Sequence, residues 1–168
     1  MEASRIANRA AEIPPFIVMD VLEKAQEMER GGADIVHLEV GEPDLDTPEC
    51  IKEACLRALR DGKTHYTHSL GLIELREAVC EHYHRRYGVT VGPDQVLITS
   101  GTSPAMQLLF AAILEPGDEV IISDPHYACY PNFIRFFDGV PVDVPVHEAE
   151  GFQYTTPAIR EKITPRTR

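Results

Sequence analysis

The run from Gln95 to Leu114 constrains this chain more than any other stretch. Gln95-Val96-Leu97-Ile98-Thr99 reads as a short buried strand, because aliphatic and β-branched residues fill a run too brief for a helix. Ser100-Gly101-Thr102-Ser103 then turns the chain, Pro104 stands where a first helical residue belongs, and Ala105–Leu114 is almost wholly apolar. A strand feeding a glycine turn and a helix start gathers unpaired backbone N–H groups and the positive end of a helix dipole at one spot. Gly101 adds no side chain to keep a ligand away. The expectation is an anion cradle, and a phosphate is its natural occupant.

The same grammar continues downstream. Glu119–Ser123, Tyr127–Phe137 and Val140–Val146 read as strand, helix, strand, which together with the first unit predicts an α/β domain with a parallel sheet. Pro141 and Pro145 remove ladder donors, so the last strand belongs at a sheet edge. Upstream, Pro14-Pro15 opens a helix carrying Val18, Val21, Leu22, Ala25 and Met28, stopped at Gly31-Gly32. Ile35–Val40 alternates like a strand, and Gly41-Glu42-Pro43-Asp44 turns the chain. Thr47 is placed to cap a helix with Pro48 at its first position and an apolar stripe of Ile51, Ala54, Cys55, Ala58 and Leu59. A further amphipathic helix spans about Leu72 to Tyr87, with Leu72, Leu75, Val79 and Tyr83 inward and Gly88 as its stop. Thr156-Pro157 starts one more helix. By this rhythm another core strand should follow Thr164–Arg168, so the chain reads as cut short, with open sheet edges.

The 168 residues, 43% of them hydrophobic, suffice for one packed domain. A formal net charge of −11 argues against nucleic acid or an anionic membrane as partner, since both require a basic footprint. No apolar run reaches spanning length, and Met1–Ala11 mixes charges with small residues, unlike a secretory leader. Cys50, Cys55, Cys80 and Cys129 have no metal-finger or C-x-x-C spacing, so packed, reduced thiols and a cytoplasmic location are expected. His65-x-x-His68 and His82-x-His84 have no further ligands nearby and are read as surface or packing residues rather than a metal site.

Several motifs together resemble the class I/II aminotransferases, fold-type I enzymes that use pyridoxal 5′-phosphate. They are Val40-Gly41-Glu42-Pro43-Asp44 with Thr47-Pro48, then Tyr66-Thr67 with Gly71 and Leu75-Arg76-Glu77-Ala78-Val79. Next come Thr99-Ser100-Gly101-Thr102-Ser103, Pro116-Gly117-Asp118-Glu119-Val120, and Asp124-Pro125-His126-Tyr127 with Tyr130-Pro131. Each alone is weak; their order from Ile13 to about Phe137 makes the resemblance specific. It implies that Gly101, Thr102 and Ser103 hold the cofactor phosphate, and that Tyr127 stacks on the pyridine ring. It implies further that Tyr66 reaches the phosphate in a neighbouring subunit, making a homodimer part of the site, and that Gly41 approaches the substrate carboxylate by its backbone. The implied fold is the N-terminal portion of that family's: residues 1–45 as arm and small-domain segment, 46–168 as the start of the cofactor-binding large domain. The implied reaction moves an amino group between an amino acid and a 2-oxo acid, in amino-acid biosynthesis.

The family's asparagine, aspartate and arginine motifs are absent, as is its S-x-x-K lysine that forms the Schiff base; Lys24, Lys52, Lys63 and Lys162 stand in no such context. No catalytic residue is therefore assigned, and the chain alone is expected to be inactive, whether a truncated chain, a frame-shifted reading frame or one half of a split protein. Rival readings are a β-lyase or another enzyme of the same fold, and a non-catalytic phosphate-binding or interaction fragment. Gly101-Thr102-Ser103-Pro104-Ala105 also imitates a nucleophile elbow with Ser103 as nucleophile and His126 or His147 as base. Pro104 argues against it, because the elbow needs an N–H after the serine as oxyanion donor.

Overall fold

The computed structural model describes residues 7–168; Met1–Ile6, part of the stretch read above as no leader and of the 1–45 arm, lie outside them. In chain order the elements are α1 (Arg9–Glu12), α2 (Ile17–Arg30), α3 (Glu49–Arg60), α4 (Ile73–Tyr87), α5 (Thr102–Ile113), β1 (Glu119–Asp124), α6 (Tyr130–Phe136), β2 (Val140–Pro145) and α7 (Thr156–Lys162). The chain divides into two compact units. One takes in the residues up to 40 and those from 105 onward, the other residues 41–104. No helix among the described residues is long and apolar enough to cross a membrane.

In the first unit β1 and β2 pair in parallel, from Glu119 opposite Val140 to Asp124 opposite Pro145, with α6 as the crossover. Val140 N–H donates to the Asp118 carbonyl and Val146 N–H to that of Asp124. Even-numbered residues of β2 thus face β1, and Pro141 and Pro145 turn their donor-less nitrogens to the other edge, as the sequence required. Phe110, Leu114, Ile122 and Ile134 form the core, ringed by Met106, Val120, Tyr130, Phe133 and Phe137. Ile134 and Val144 are fully buried, each contributing about 1.5–3 kcal/mol by transfer from water. α1, which no sequence signal announced, docks on the end of α6. Arg9 donates from Nη1 to the Phe136 carbonyl at 2.9 Å and lies over the Phe136 ring.

On the side of β1 away from β2, Thr167 forms a parallel bridge with Glu119. Glu119 N–H donates to the Arg166 carbonyl, and Arg168 N–H to that of Glu119. The buried Glu119 carboxylate accepts from Thr164 and Arg166, which hold it below its usual range. Asp118, also buried, accepts the Glu115 N–H and the Arg168 Nε, both at 2.9 Å, and is lowered likewise.

Two expected strands are not strands. Ile35–Val40 makes no strand pairing and bends at Glu39-Val40, leaving Val36 and Leu38 exposed. A strand exists only with a partner, and here side chains do the holding: His37 Nδ1 meets Glu39 at 2.5 Å and Nε2 meets Glu29 of α2 at 3.0 Å. In the second unit, Gln95–Thr99 begins inside a 3₁₀ turn (Pro93–Gln95) and continues without strand pairing; Val96 N–H donates to the Pro93 carbonyl at 3.4 Å and Ile98 N–H to the Leu70 carbonyl at 3.0 Å. Other expectations shift with them. Thr47 makes no capping bond; Pro48 precedes the first helical residue, and its carbonyl accepts from Ile51 and Lys52. The α3 stripe finds no cover within its unit: Ile51, Leu59, Cys50 and Cys55 are exposed, so these thiols are free but not packed. In α4, Leu72, Leu75 and Tyr83 are exposed too, and the one buried side chain is a charged one, Arg76. The helix expected from Tyr127 starts only at Tyr130.

Candidate functional site

The turn after the extended segment is built by its own sequence. Thr99 Oγ1 donates to the Gly101 carbonyl at 2.7 Å, and Gly101 has φ +98°, a backbone region that side chains rarely occupy. α5 begins directly afterwards at Thr102, so Pro104 is its third residue rather than its first. A proline is tolerated there because first-turn N–H groups have no intrahelical acceptor. Among the described residues, no carbonyl accepts from the N–H of Gly101, Thr102 or Ser103. All three residues are exposed, and a Cβ added at Gly101 would meet nothing within 4 Å. No acidic residue sits in the first turn of α5 to compete for the positive dipole end. The result is three free amides, two hydroxyls and a helix N-terminus open to an incoming anion.

An open cavity of about 450 Å³ flanks this turn in the same unit. Leu72, Leu75 and Ile98 give it apolar wall, while Thr67, Ser69 and Ser100 bring hydroxyls. Tyr66 and Gly41 belong to this unit as well. Tyr66 is fully exposed, and no contact within 4 Å limits the space at Gly41. Neither is brought against the turn by a hydrogen bond.

Tyr127 belongs to the other unit. It follows the C-terminal end of β1 in the short loop before α6, after a cis Asp124–Pro125 peptide. Its ring packs edge-on against Phe16, centroids 6.3 Å apart, and Tyr130, at 5.3 Å, and remains half exposed. Its carbonyl accepts from Tyr130 N–H and from His126 Nδ1. The Cys129 thiol bonded to it, with the neighbouring Tyr130, pushes the Tyr127 phenol above its usual range. Tyr127 is therefore an uncharged aromatic, braced on two edges.

Arg76 enters the sequence reading only as part of the Leu75-Arg76-Glu77-Ala78-Val79 motif, which assigned it no role. The structure buries it to 7% exposure, with Nε donating to the Gly71 carbonyl at 3.2 Å and Nη1 to that of Pro93 at 2.8 Å. Both acceptors flank the segment that leads into the glycine turn.

The family model described as "Aminotransferase class I and II" matches residues 33–168. The chain is 42% identical over 163 residues to a probable aspartate/prephenate aminotransferase of Aquifex aeolicus, covering 97% of this chain and 41% of that protein. It is 44% identical over 163 residues to the aspartate/prephenate aminotransferase of Thermus thermophilus, covering 97% and 42%. The solved aspartate aminotransferase from Thermus thermophilus with maleate superposes with a TM-score of 0.94 at 43% identity, over 99% of this chain and 44% of that one. The chain spans about two fifths of the length of these relatives.

Proposed function

The chain belongs to the class I and II aminotransferases, and from that premise we propose that it supplies the phosphate grip and ring support of an enzyme that moves an amino group between an amino acid and a 2-oxo acid. Its α/β architecture, a parallel sheet with flanking helices, is that of the fold-type I aminotransferases. The cofactor in this reading is pyridoxal 5′-phosphate, and the residues present fit its dianionic end. The free amides of Gly101, Thr102 and Ser103 at the start of α5 are the observation that carries the reading. Already fixed in place, they would donate to the phosphate oxygens; the Thr102 and Ser103 hydroxyls would add adaptable donors, and Pro104 none.

When bound, pyridoxal 5′-phosphate supplies an aldehyde to take up the amino group and a ring to receive the electrons left when the substrate Cα loses its proton. In this reading Tyr127, neutral and braced by Phe16 and Tyr130, would stack on that ring and keep water from it. Gly41 would leave its backbone open to the substrate carboxylate. Tyr66, fully exposed, would reach a neighbouring subunit's phosphate in a homodimer. The arm and small-domain segment over 1–45, the large-domain portion over 46–168, a cytoplasmic setting and a biosynthetic role belong to the same reading. None of Lys24, Lys52, Lys63 and Lys162 lies in the phosphate-turn cavity, so this chain alone binds without turning over.

The test has two arms. Titrating the ¹⁵N-labelled chain with inorganic phosphate and with pyridoxal 5′-phosphate should move the amide signals of Gly101, Thr102 and Ser103 first; unmoved signals at saturating ligand would remove the reading. Mixing the chain with the C-terminal part of a relative should then restore amino transfer, and silence in that mixture would remove the catalytic half of the proposal.

A further inference from the structure

The single buried side chain of α4 is a guanidinium with no carboxylate partner among the described residues. Burying a charge in that way is costly, and a well-packed apolar side chain is the cheaper filler. What Arg76 does that no apolar residue can is bind two backbone points at once. Its Nε holds the Gly71 carbonyl and its Nη1 the Pro93 carbonyl, 22 residues further along.

Those two points are the supports of the segment that ends in the phosphate turn. Pro93 opens the 3₁₀ turn from which Val96–Thr99 emerges. Gly71 lies against the middle of that segment: its Cα is so close to Ile98 that an added Cβ would stand 2.7 Å from the Ile98 Cβ, and Leu70 next to it accepts the Ile98 N–H. Among the described residues the segment has no strand partner, and its other main-chain bond, Val96 N–H to the Pro93 carbonyl, again rests on Pro93. Resting on the proposed phosphate grip, we infer that Arg76 is a positioning residue, which clamps Gly71 to Pro93 and so sets the place of the Gly101–Ser103 amides. It touches no ligand itself.

The experiment uses the full 168-residue chain as wild type, R76M and R76K, with inorganic phosphate, pyridoxal 5′-phosphate and phosphate-free pyridoxal as probes. Folding is checked on each by circular dichroism and by the amide spectrum. R76M removes both bonds; R76K offers one nitrogen where Nε and Nη1 bonded separately. Phosphate affinity of the folded protein should fall about tenfold in R76M and about threefold in R76K, the scale of one lost hydrogen bond and part of one. Pyridoxal binding should not change, and the shifts should concentrate at Val96–Ser103. A merely structural arginine would instead lower the melting temperature and leave folded-state affinity alone. Phosphate binding within about twofold of wild type in either folded variant overturns the inference. If R76M does not fold, R76K decides by the same criterion. A wild-type chain that binds no phosphate removes the grip itself and the clamp with it, which is a different outcome from variants that bind as well as wild type.

Discussion

Alanine at two glycines separates folding from ligand approach. Gly71 and Gly101 have nearly the same φ, +94° and +98°, so each Gly→Ala change carries the same backbone strain, about 1–3 kcal/mol, less about 0.4–1 kcal/mol from a stiffer unfolded chain. Their surroundings differ. The new Cβ at Gly101 meets nothing within 4 Å, whereas at Gly71 it meets Ile98 Cβ at 2.7 Å and Cγ1 at 2.8 Å. Ile98 is β-branched and its N–H is bonded to Leu70, so it cannot swing clear, and overpacking adds about 1–3 kcal/mol. Gly71→Ala should therefore cost about 1–5.5 kcal/mol and Gly101→Ala about 0–2.5 kcal/mol, the difference being the overpacking. Urea titrations followed by far-UV circular dichroism read the difference as a shift in midpoint at unchanged slope. Phosphate affinity should rank the other way, because the Gly101 Cβ stands in the open mouth of the turn and the Gly71 Cβ behind it. Equal midpoint shifts, or the same rank in both assays, would refute the packing argument.

Acid and alkali should each loosen the His37 cluster. The hydrogen bond that the His37 ring donates to Glu39, then that to Glu29, raises the His37 pKa above 6.5, so its stabilisation is complete below about pH 6.5 and is lost as pH rises through the raised value. Glu39, lowered below 4.5 mainly by His37, contributes above that range and loses its contribution as pH falls through its own lowered value. An NMR titration of the His37 ring with a midpoint at or below 6.5 would contradict this, and H37Q should flatten the alkaline side of the stability profile. In the first unit, Ile134→Ala empties a fully buried site against Phe110, Leu114 and Ile122, and should cost about 2–5 kcal/mol. A thermal melt of that variant within a degree or two of wild type would show that the core lies elsewhere.

What the sequence made legible was what neighbouring residues decide among themselves. Gly31 and Gly88 stop their helices, and Pro141 and Pro145 alternate with the donors of β2, all from local stereochemistry; the turn read over Ser100–Ser103 is shorter, because α5 already starts at Thr102. The errors fall where a property belongs to a pair. Gln95–Thr99 and Ile35–Val40 have strand composition, but a ladder needs a second row of backbone groups, and composition in one segment says nothing about whether another lies beside it. β1 has such rows on both edges, from β2 and from Thr167.

The same reasoning explains why the anion cradle was visible and its support was not. Unpaired amides at a helix N-terminus favour an anion, so the proposed grip at Gly101–Ser103 is readable in three consecutive residues. In the proposed reading, placing those amides is a long-range task, shared among Arg76, Gly71, Pro93 and Ile98, which lie up to 27 residues apart. Gly71 and Arg76 stand in one motif, but nothing in it says which carbonyls the guanidinium meets. With no ladder among the described residues to hold residues 96–99, the main-chain bonds of Val96 and Ile98 and one guanidinium bear the work that neighbouring strands do elsewhere, which makes the proposed clamp the part of this site most sensitive to a single substitution.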